Sequence, residues 1–167
     1  MEGRNSVKML ASLRICIIIR MGRKSAWIQN GKGVIMGYRL KTSKKTKEIF
    51  EEIGKSSNLK PFALSKIAVS LSLKDSNSIE DYKEEDSNGL ELQRSTVTGE
   101  YDNLFKSLIE MNLGRHISDD EYYPYYMKLH MDRGAELLYN NYKYSGGKLE
   151  KFLLNVLNKG DVNLWYT

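Results

Sequence analysis

The alternation of polar and apolar residues becomes regular only after the first 37 residues, where it predicts a strand and a helix. Residues 38–42 alternate in polarity, as a short half-exposed strand does. Thr42 or Ser43 then provides an N-cap for a helix that runs to about Ile53. One face of this helix carries Ile49, Phe50 and Ile53. Gly54 is predicted to end the helix, because glycine readily takes the left-handed conformation found there.

A second helix is predicted from Pro61 onward, since proline fits the first turn of a helix, where its missing N–H costs nothing. The apolar residues of this helix are spread around most of its circumference; they are Phe62, Leu64, Ile67, Ala68, Leu71 and Leu73. A helix of this kind is usually buried. We therefore expect it in the core or at a subunit interface.

Further helices are predicted in the C-terminal half. Apolar residues recur at helical spacing over residues 101–111. Ser118 and Glu121 form a capping-box pattern, which opens a helix over about residues 118–142. Pro124 is expected to bend the early turns of that helix, because proline cannot donate to the preceding turn.

These elements predict a mainly α fold, a helical domain with a short N-terminal strand and a ribbon-helix-helix-like opening. The domain would occupy residues 38–167 and end with a short helix over residues 149–157. An acidic, polar stretch at about residues 75–92 is predicted to be an exposed loop. Residues 1–37 are predicted to be a basic N-terminal extension. The alternative is that they form a flexible basic arm that contacts DNA phosphates.

Charge is distributed very unevenly along the chain. The whole sequence has 26 Lys and Arg against 21 Asp and Glu, a net charge of +5. Residues 1–74 carry 16 basic and 4 acidic residues, whereas residues 75–167 carry 10 basic and 17 acidic residues. A basic half is the pattern expected of a protein that binds a polyanion such as nucleic acid. A solvated, lysine-rich surface is the alternative.

Several classes of protein and site are excluded. Cys16 is the only cysteine, so neither an intramolecular disulfide nor a zinc site built on several cysteines can form. The longest strongly apolar run, Ile15–Ile19, is far shorter than the roughly 20 residues of a membrane-spanning helix. The sequence has no Walker-type phosphate loop. We expect a cytoplasmic protein that needs no metal or other cofactor.

A strand followed by two helices is the outline of a ribbon-helix-helix unit, in which two chains pair their strands and the ribbon can enter a major groove. The basic residues in and after this strand are candidates for DNA binding: Arg39, Lys41, Lys44, Lys45, Lys47, Lys55 and Lys60. Most of them are lysines, which act as point charges on phosphates, whereas bidentate reading of guanine favours arginine. A lysine-rich solvent face explains the same pattern equally well.

Three residues near the middle of the long helix could serve a metal-dependent DNA nickase: His130, Asp132 and Glu136. Asp132 and Glu136 share a helix face, but His130 lies well round from Asp132, which is poor geometry for one metal ion. Polar contacts between helices are therefore favoured over a metal site. Gly134 costs the helix about 1 kcal/mol relative to alanine, which indicates close helix packing or close approach of a partner.

Two segments together resemble the DndE family. Residues 93–105 read QRSTVTGEYDNLF, similar to the family's segment N-R-x-T-L-x-G-E-Y-D-x-L-F. Residues 130–134 read HMDRG, similar to the family's H-I-x-R-G. The resemblance spans about residues 38–157, while residues 1–35 and the acidic insertion around residues 81–86 have no counterpart.

The resemblance implies a role in DNA phosphorothioation, the replacement of a non-bridging phosphate oxygen of DNA by sulfur in a restriction-modification setting. It implies a small helical protein that forms homotetramers and binds duplex DNA, nicked duplex in particular. The residues show no obvious set of catalytic groups, which suits an accessory subunit that is not itself an enzyme. It also implies partner proteins, among them an iron–sulfur enzyme and an ATPase. The leading hypothesis is therefore a non-catalytic DNA-binding subunit. A ribbon-helix-helix transcription regulator and, less favoured, a metal-dependent nickase are the alternatives.

At the matching motif positions we expect structural roles. These positions are Arg94, Gly99, Glu100, Tyr101, Asp102, His130, Arg133 and Gly134. Either Glu100 or Asp102 is predicted to pair with Arg133 and so to fix the arrangement of the helices.

Overall fold

The structure is a computed structural model that describes residues 39–83 and 86–158. It is mostly helical, with one short two-stranded antiparallel sheet near its start. The predicted mainly α fold with a short N-terminal strand is thus confirmed. The predicted basic extension, residues 1–37, lies outside the described residues.

The two strands are β1 (Arg39–Lys41) and β2 (Glu91–Gln93). The α-helices, in chain order, are α1 (Lys44–Ser57), α2 (Pro61–Lys74), α3 (Arg94–Val97), α4 (Asp102–Leu113), α5 (Met127–Tyr144) and α6 (Leu149–Asn158). A 3-10 turn, Gly99–Tyr101, precedes α4, and a wide π-type turn, Glu121–Tyr126, precedes α5. None of the helices in the described ranges is both long and apolar enough to cross a membrane.

Helix α1 begins as predicted but ends later. Ser43 is its N-cap, and the Ser43 side chain accepts a hydrogen bond from the Thr46 amide at 3.1 Å. The prediction that Gly54 ends the helix was wrong, because Asn58 takes the left-handed conformation instead, with φ of 56°. The Asn58 amide then donates to the Gly54 carbonyl at 2.9 Å, so the helix gains a further turn.

Helices α2 and α5 cross at the centre of the fold, and a glycine lets their backbones touch. A Cβ atom placed on Gly134 would lie only 1.9 Å from the carbonyl oxygen of Ala68. The prediction of close helix packing at Gly134 is therefore confirmed. Leu64 and Val69 on α2 are fully buried, so this helix lies in the core of the chain.

The small sheet forms within one chain. Strand β1 runs antiparallel to β2, with Leu40 opposite Leu92 and Arg39 opposite Gln93. Leu40 and Leu92 point into the core, while Arg39 lies on the exposed side. This pairing differs from that of a ribbon-helix-helix unit, in which the strand would find its partner in a second chain.

The helix predicted from Ser118 is interrupted before α5. The capping box is present: the Glu121 amide donates to Ser118 Oγ at 3.2 Å, and the Ser118 amide donates to Glu121 Oε2 at 2.9 Å. Tyr123 then has an extended backbone, with φ of −134° and ψ of 114°. The chain therefore breaks next to Pro124, where a bend was expected, and regular helix resumes at Met127.

The acidic loop that follows α2 is exposed in most places, as predicted, but two of its residues anchor it. Ile79 is fully buried in the core. The Tyr82 hydroxyl donates to Glu136 Oε1 on α5 at 3.0 Å. The loop is thus held along one side of α5, close to the start of α1.

Candidate nucleic-acid interface

The start of α1 is fixed to α5 by a buried carboxylate. Asp132 Oδ1 accepts hydrogen bonds from the Ser43 amide at 3.1 Å and from the Thr46 hydroxyl at 2.6 Å. Lys128, one turn earlier on α5, lies 3.2 Å from Asp132 Oδ2, and both side chains are almost completely buried. Because these contacts hold the first turn of α1, they also fix the lysines that this turn carries.

The predicted DNA-binding residues fall into two groups at opposite ends of α1. Arg39 and Lys41 lie on the exposed side of β1. The first turn of α1 adds Lys44, Lys45 and Lys47, all at least partly exposed. We call these five residues the basic cluster.

The second group is smaller. Lys55 lies in the last turn of α1, and Lys60 is the N-cap of α2. Along the helix axis Lys55 is about 16 Å from Lys44, at 1.5 Å per residue. The two groups are therefore separate patches on the surface.

Most of the basic cluster is engaged with carboxylates of the same chain. Arg39 lies 2.7 Å from Glu91, and Lys45 lies 2.8 Å from Glu136. The two remaining pairs, Lys44 with Glu48 and Lys47 with Glu51, are long, at 3.9 and 4.0 Å. Exposed pairs of this kind are worth about 0–1 kcal/mol, so they leave the cations able to exchange a carboxylate for a phosphate.

Asp86 of the acidic loop also lies against the start of α1. Its Oδ1 atom accepts hydrogen bonds from the Asn88 amide at 2.7 Å and from the Lys44 amide at 3.0 Å. These two amides, with the nearby charge of Lys128, hold the pKa of Asp86 below its ordinary value. The side chain is therefore a carboxylate at neutral pH, placed at the positive end of a helix.

Arg94 and Asp102 form the structural cluster of the first family motif. Arg94 donates two parallel hydrogen bonds to the Asp102 carboxylate, at 2.9 and 2.6 Å. The Thr98 hydroxyl donates to Asp102 at 2.7 Å, and the Tyr122 hydroxyl donates to it at 3.2 Å. Burial by itself would raise the pKa of Asp102, but the hydrogen bonds from Arg94 and Thr98 outweigh it and lower that pKa.

The intervening motif residues shape the turn. Gly99 has φ of 55°, a conformation that favours glycine. Glu100 is exposed, and its hydrogen bond with the Tyr101 hydroxyl raises the pKa of Tyr101. Lys66 of α2 lies 5.7 Å from the centre of the Tyr101 ring, a cation–π contact that joins this turn to α2.

Arg133 does not pair with Glu100 or Asp102, so that prediction was wrong. Its guanidinium instead donates to Ser72 Oγ at 2.8 Å and to the Ser72 carbonyl at 2.7 Å. It also donates to the carbonyls of Asn77 and Ser78, at 3.0 and 3.1 Å. Arg133 thus caps the carbonyl end of α2 and holds the start of the acidic loop. Asp102 already has a cationic partner nearer in sequence, namely Arg94.

His130 belongs to the same buried group. Its Nδ1 atom lies 3.0 Å from Ser72 Oγ, and the side chain is fully buried. Burial, with the nearby charge of Arg133, lowers the pKa of His130 to about 3. The ring is therefore neutral at physiological pH and serves as a polar contact between α2 and α5.

The three nickase candidates have separate surroundings. Asp132 faces the start of α1, Glu136 contacts Lys45 and Tyr82, and His130 faces Ser72 on α2. Across residues 39–83 and 86–158, no three His, Cys, Asp or Glu residues are grouped so that they could hold a metal ion. The geometry does not favour the nickase alternative.

Several residues of these clusters were not found from the sequence. Thr46 and Lys128, which flank Asp132, and Ser72, which joins His130 to Arg133, are the main examples. A signal for Lys128 was present, since Lys128, Asp132 and Glu136 follow one another at four-residue spacing on α5. No local pattern indicates that Ser72 would face this helix.

A known protein family matches the part of the chain that contains both motif segments. The sequence model of the DNA sulphur modification protein DndE matches residues 39–145. The chain belongs to the DndE family. The matched part runs from β1 to the residue after α5, so it includes the basic cluster and both motif clusters. A search of curated proteins finds none that matches this DndE-family chain.

Proposed function

We propose that this chain is a non-catalytic subunit of a DNA phosphorothioate modification complex and that it binds duplex DNA. The observation that carries the proposal is the basic cluster, which lies exposed at the β1–α1 junction of a DndE-family chain. A role in DNA sulfur modification follows from the family itself. The chemistry of the side chains indicates how the chain would contact DNA.

The contacts would be made to phosphates and not to base edges. Six of the seven candidate residues are lysines: Lys41, Lys44, Lys45, Lys47, Lys55 and Lys60, with Arg39 as the seventh. Binding of this kind shows little sequence preference and weakens steeply as salt rises, because each neutralised phosphate releases bound counterions. The buried Asp132 contacts support the proposal by holding the first turn of α1 in a fixed place.

Three finer parts of the proposal rest on the family resemblance. The chain would form a homotetramer, prefer nicked over intact duplex, and work with an iron–sulfur enzyme and an ATPase. The alternative of a ribbon-helix-helix regulator is less favoured, because β1 already pairs with β2 of its own chain.

A competition titration tests the proposal. Purified full-length protein, with its mass determined by light scattering in the same buffer, is titrated with intact duplex, nicked duplex and single strands of one sequence. A tetramer that prefers nicked duplex, with binding that collapses between 50 and about 200 mM salt, is the expected result. A dimer that ignores nicks but selects one sequence would favour the regulator. Absence of binding to all three would contradict the DNA role of the isolated chain.

A further inference from the structure

Residues 86–91, which we call the acidic strap, lie directly on the start of α1. The Gly89 amide donates to the Thr42 carbonyl at 2.8 Å, and the Thr42 amide donates to the Leu90 carbonyl at 3.0 Å. The Leu90 amide also donates to the Thr42 hydroxyl at 2.9 Å. A Cβ atom on Gly89 would lie 2.1 Å from the Ser43 carbonyl oxygen, so the strap backbone touches the N-cap of α1. The backbone of the strap is therefore anchored.

The strap carries carboxylates to the basic cluster. Asp86 Oδ1 accepts a hydrogen bond from the Lys44 amide at 3.0 Å. Glu91 Oε1 lies 2.7 Å from Arg39 Nη1. Glu91 occupies a cationic side chain that the proposed function assigns to phosphate contacts. Asp86 occupies a backbone amide at the start of α1, a donor that a phosphate oxygen also uses.

The contacts of Asp86 with the Lys44 amide and of Glu91 with Arg39 are exposed, so another anion can reach and displace the carboxylates. The side chains of Arg39 and Glu91 are 61% and 43% exposed. Exposed pairs of this kind are individually weak and are screened by salt. A ligand with several adjacent phosphates can therefore displace the carboxylates, while the anchored backbone keeps them close enough to return.

We propose that the acidic strap is a built-in competitor of DNA, in which Glu91 occupies the Arg39 guanidinium and Asp86 occupies the Lys44 backbone amide until phosphates displace them. This inference rests on the proposed function, since it concerns the same surface. The strap lowers the affinity of the chain for ligands that present only one or two anionic groups. It favours ligands that present several phosphates to the β1–α1 junction at once.

The test compares two double variants of the full-length chain with the same change in charge. Asp86→Asn with Glu91→Gln removes both strap charges but keeps an acceptor oxygen at each position. Glu80→Gln with Asp81→Asn is the matched control. Both of these loop acids are exposed. The control should melt with the wild type. The strap variant should remain folded but melt slightly lower, because Asp86 loses its charge at the positive end of α1.

Binding of a labelled duplex is then measured across a salt series. The strap variant is expected to bind about three- to tenfold more tightly at low salt, with a slope of log affinity against log salt steeper by about 1 to 2. The control should leave that slope unchanged.

Three outcomes would contradict the proposal that the acidic strap competes with DNA. If the wild type binds DNA but the strap variant gains no affinity, the carboxylates do not compete. Equal gains in both double variants would mean that only overall charge matters. If the wild type and every variant fail to bind, the proposed function fails and the strap fails with it. Binding by the strap variant alone would support the strap most strongly.

Discussion

The Asp132 carboxylate on α5 accepts a hydrogen bond from the Thr46 hydroxyl on α1 at 2.6 Å, across 86 positions of sequence. With the Ser43 amide and Lys128, this contact joins the lysine-bearing start of α1 to the central helix. The surface proposed to meet DNA is thus fixed from beneath by a buried ion pair.

Replacing Asp132 with alanine should be severely destabilising. The substitution removes the carboxylate that lies 3.2 Å from the buried Lys128 ammonium, together with the acceptor for Ser43 and Thr46. We expect a loss of about 3–5 kcal/mol in the free energy of unfolding, measured by urea denaturation. Asp120→Ala, at an exposed position, is the control. A loss below about 1 kcal/mol for Asp132→Ala would show that the pair does not hold α1.

Gly134→Ala should also destabilise the chain, although alanine normally favours a helix. The new methyl group would meet the Ala68 carbonyl at the α2–α5 crossing, so the helices must separate. We expect a loss of at least about 2 kcal/mol, which is typical of overpacking. Asn140→Ala on the exposed face of α5 provides the comparison. An increase in melting temperature for Gly134→Ala would refute this description of the crossing.

Acid should weaken the fold through His130. Burial lowers the pKa of His130 in the folded state to about 3, from an ordinary value of 6.5. The unfolded chain therefore binds a proton first as pH falls, and stability drops from about pH 6.5 downward, at about 1.4 kcal/mol per pH unit once His130 is charged in the unfolded chain. Between pH 6 and pH 4, His130→Asn should lower the slope of unfolding free energy against pH by the contribution of one proton.

The second histidine offers a control for that experiment. His116→Asn replaces the other histidine, whose side chain is 99% exposed and lies 3.4 Å from Glu110, and it provides the comparison. If the two variants show the same slope of unfolding free energy against pH, His130 is not the group responsible.

Arg133→Ala should free the carbonyl end of α2. The guanidinium donates to the Ser72, Asn77 and Ser78 carbonyls, and the first of these is buried. Leaving these acceptors without their donor is expected to cost about 2–4 kcal/mol. Arg115→Ala, which removes an exposed arginine that pairs with Glu121, should cost much less. Equal melting temperatures for the two variants would count against a capping role for Arg133.

The local elements of this fold could be predicted because their signals are local. Ser43 as N-cap, Pro61 at the start of α2 and the Ser118–Glu121 capping box each depend on hydrogen bonds within one turn. The end of α1 was predicted too early, since Gly54 stays helical and Asn58 takes the left-handed conformation that was expected of the glycine.

The pairing of charged side chains could not be predicted in the same way. Arg133 finds its acceptors at the end of α2, and Asp102 finds Arg94 eight residues away. Which partner each side chain takes depends on how the helices cross, and that crossing is set by the contact of Gly134 with Ala68. The return of the acidic strap to α1 is a tertiary contact of the same kind.

The most direct test of the account is the salt dependence of duplex binding by Lys41→Gln with Lys44→Gln. Lys148→Gln with Lys151→Gln, two exposed lysines at α6, is the control with the same change in charge. The first variant is expected to bind several-fold more weakly, with a slope of log affinity against log salt that is shallower by about 2, while the control keeps the wild-type slope. Identical slopes for wild type and both variants would contradict phosphate binding by the basic cluster.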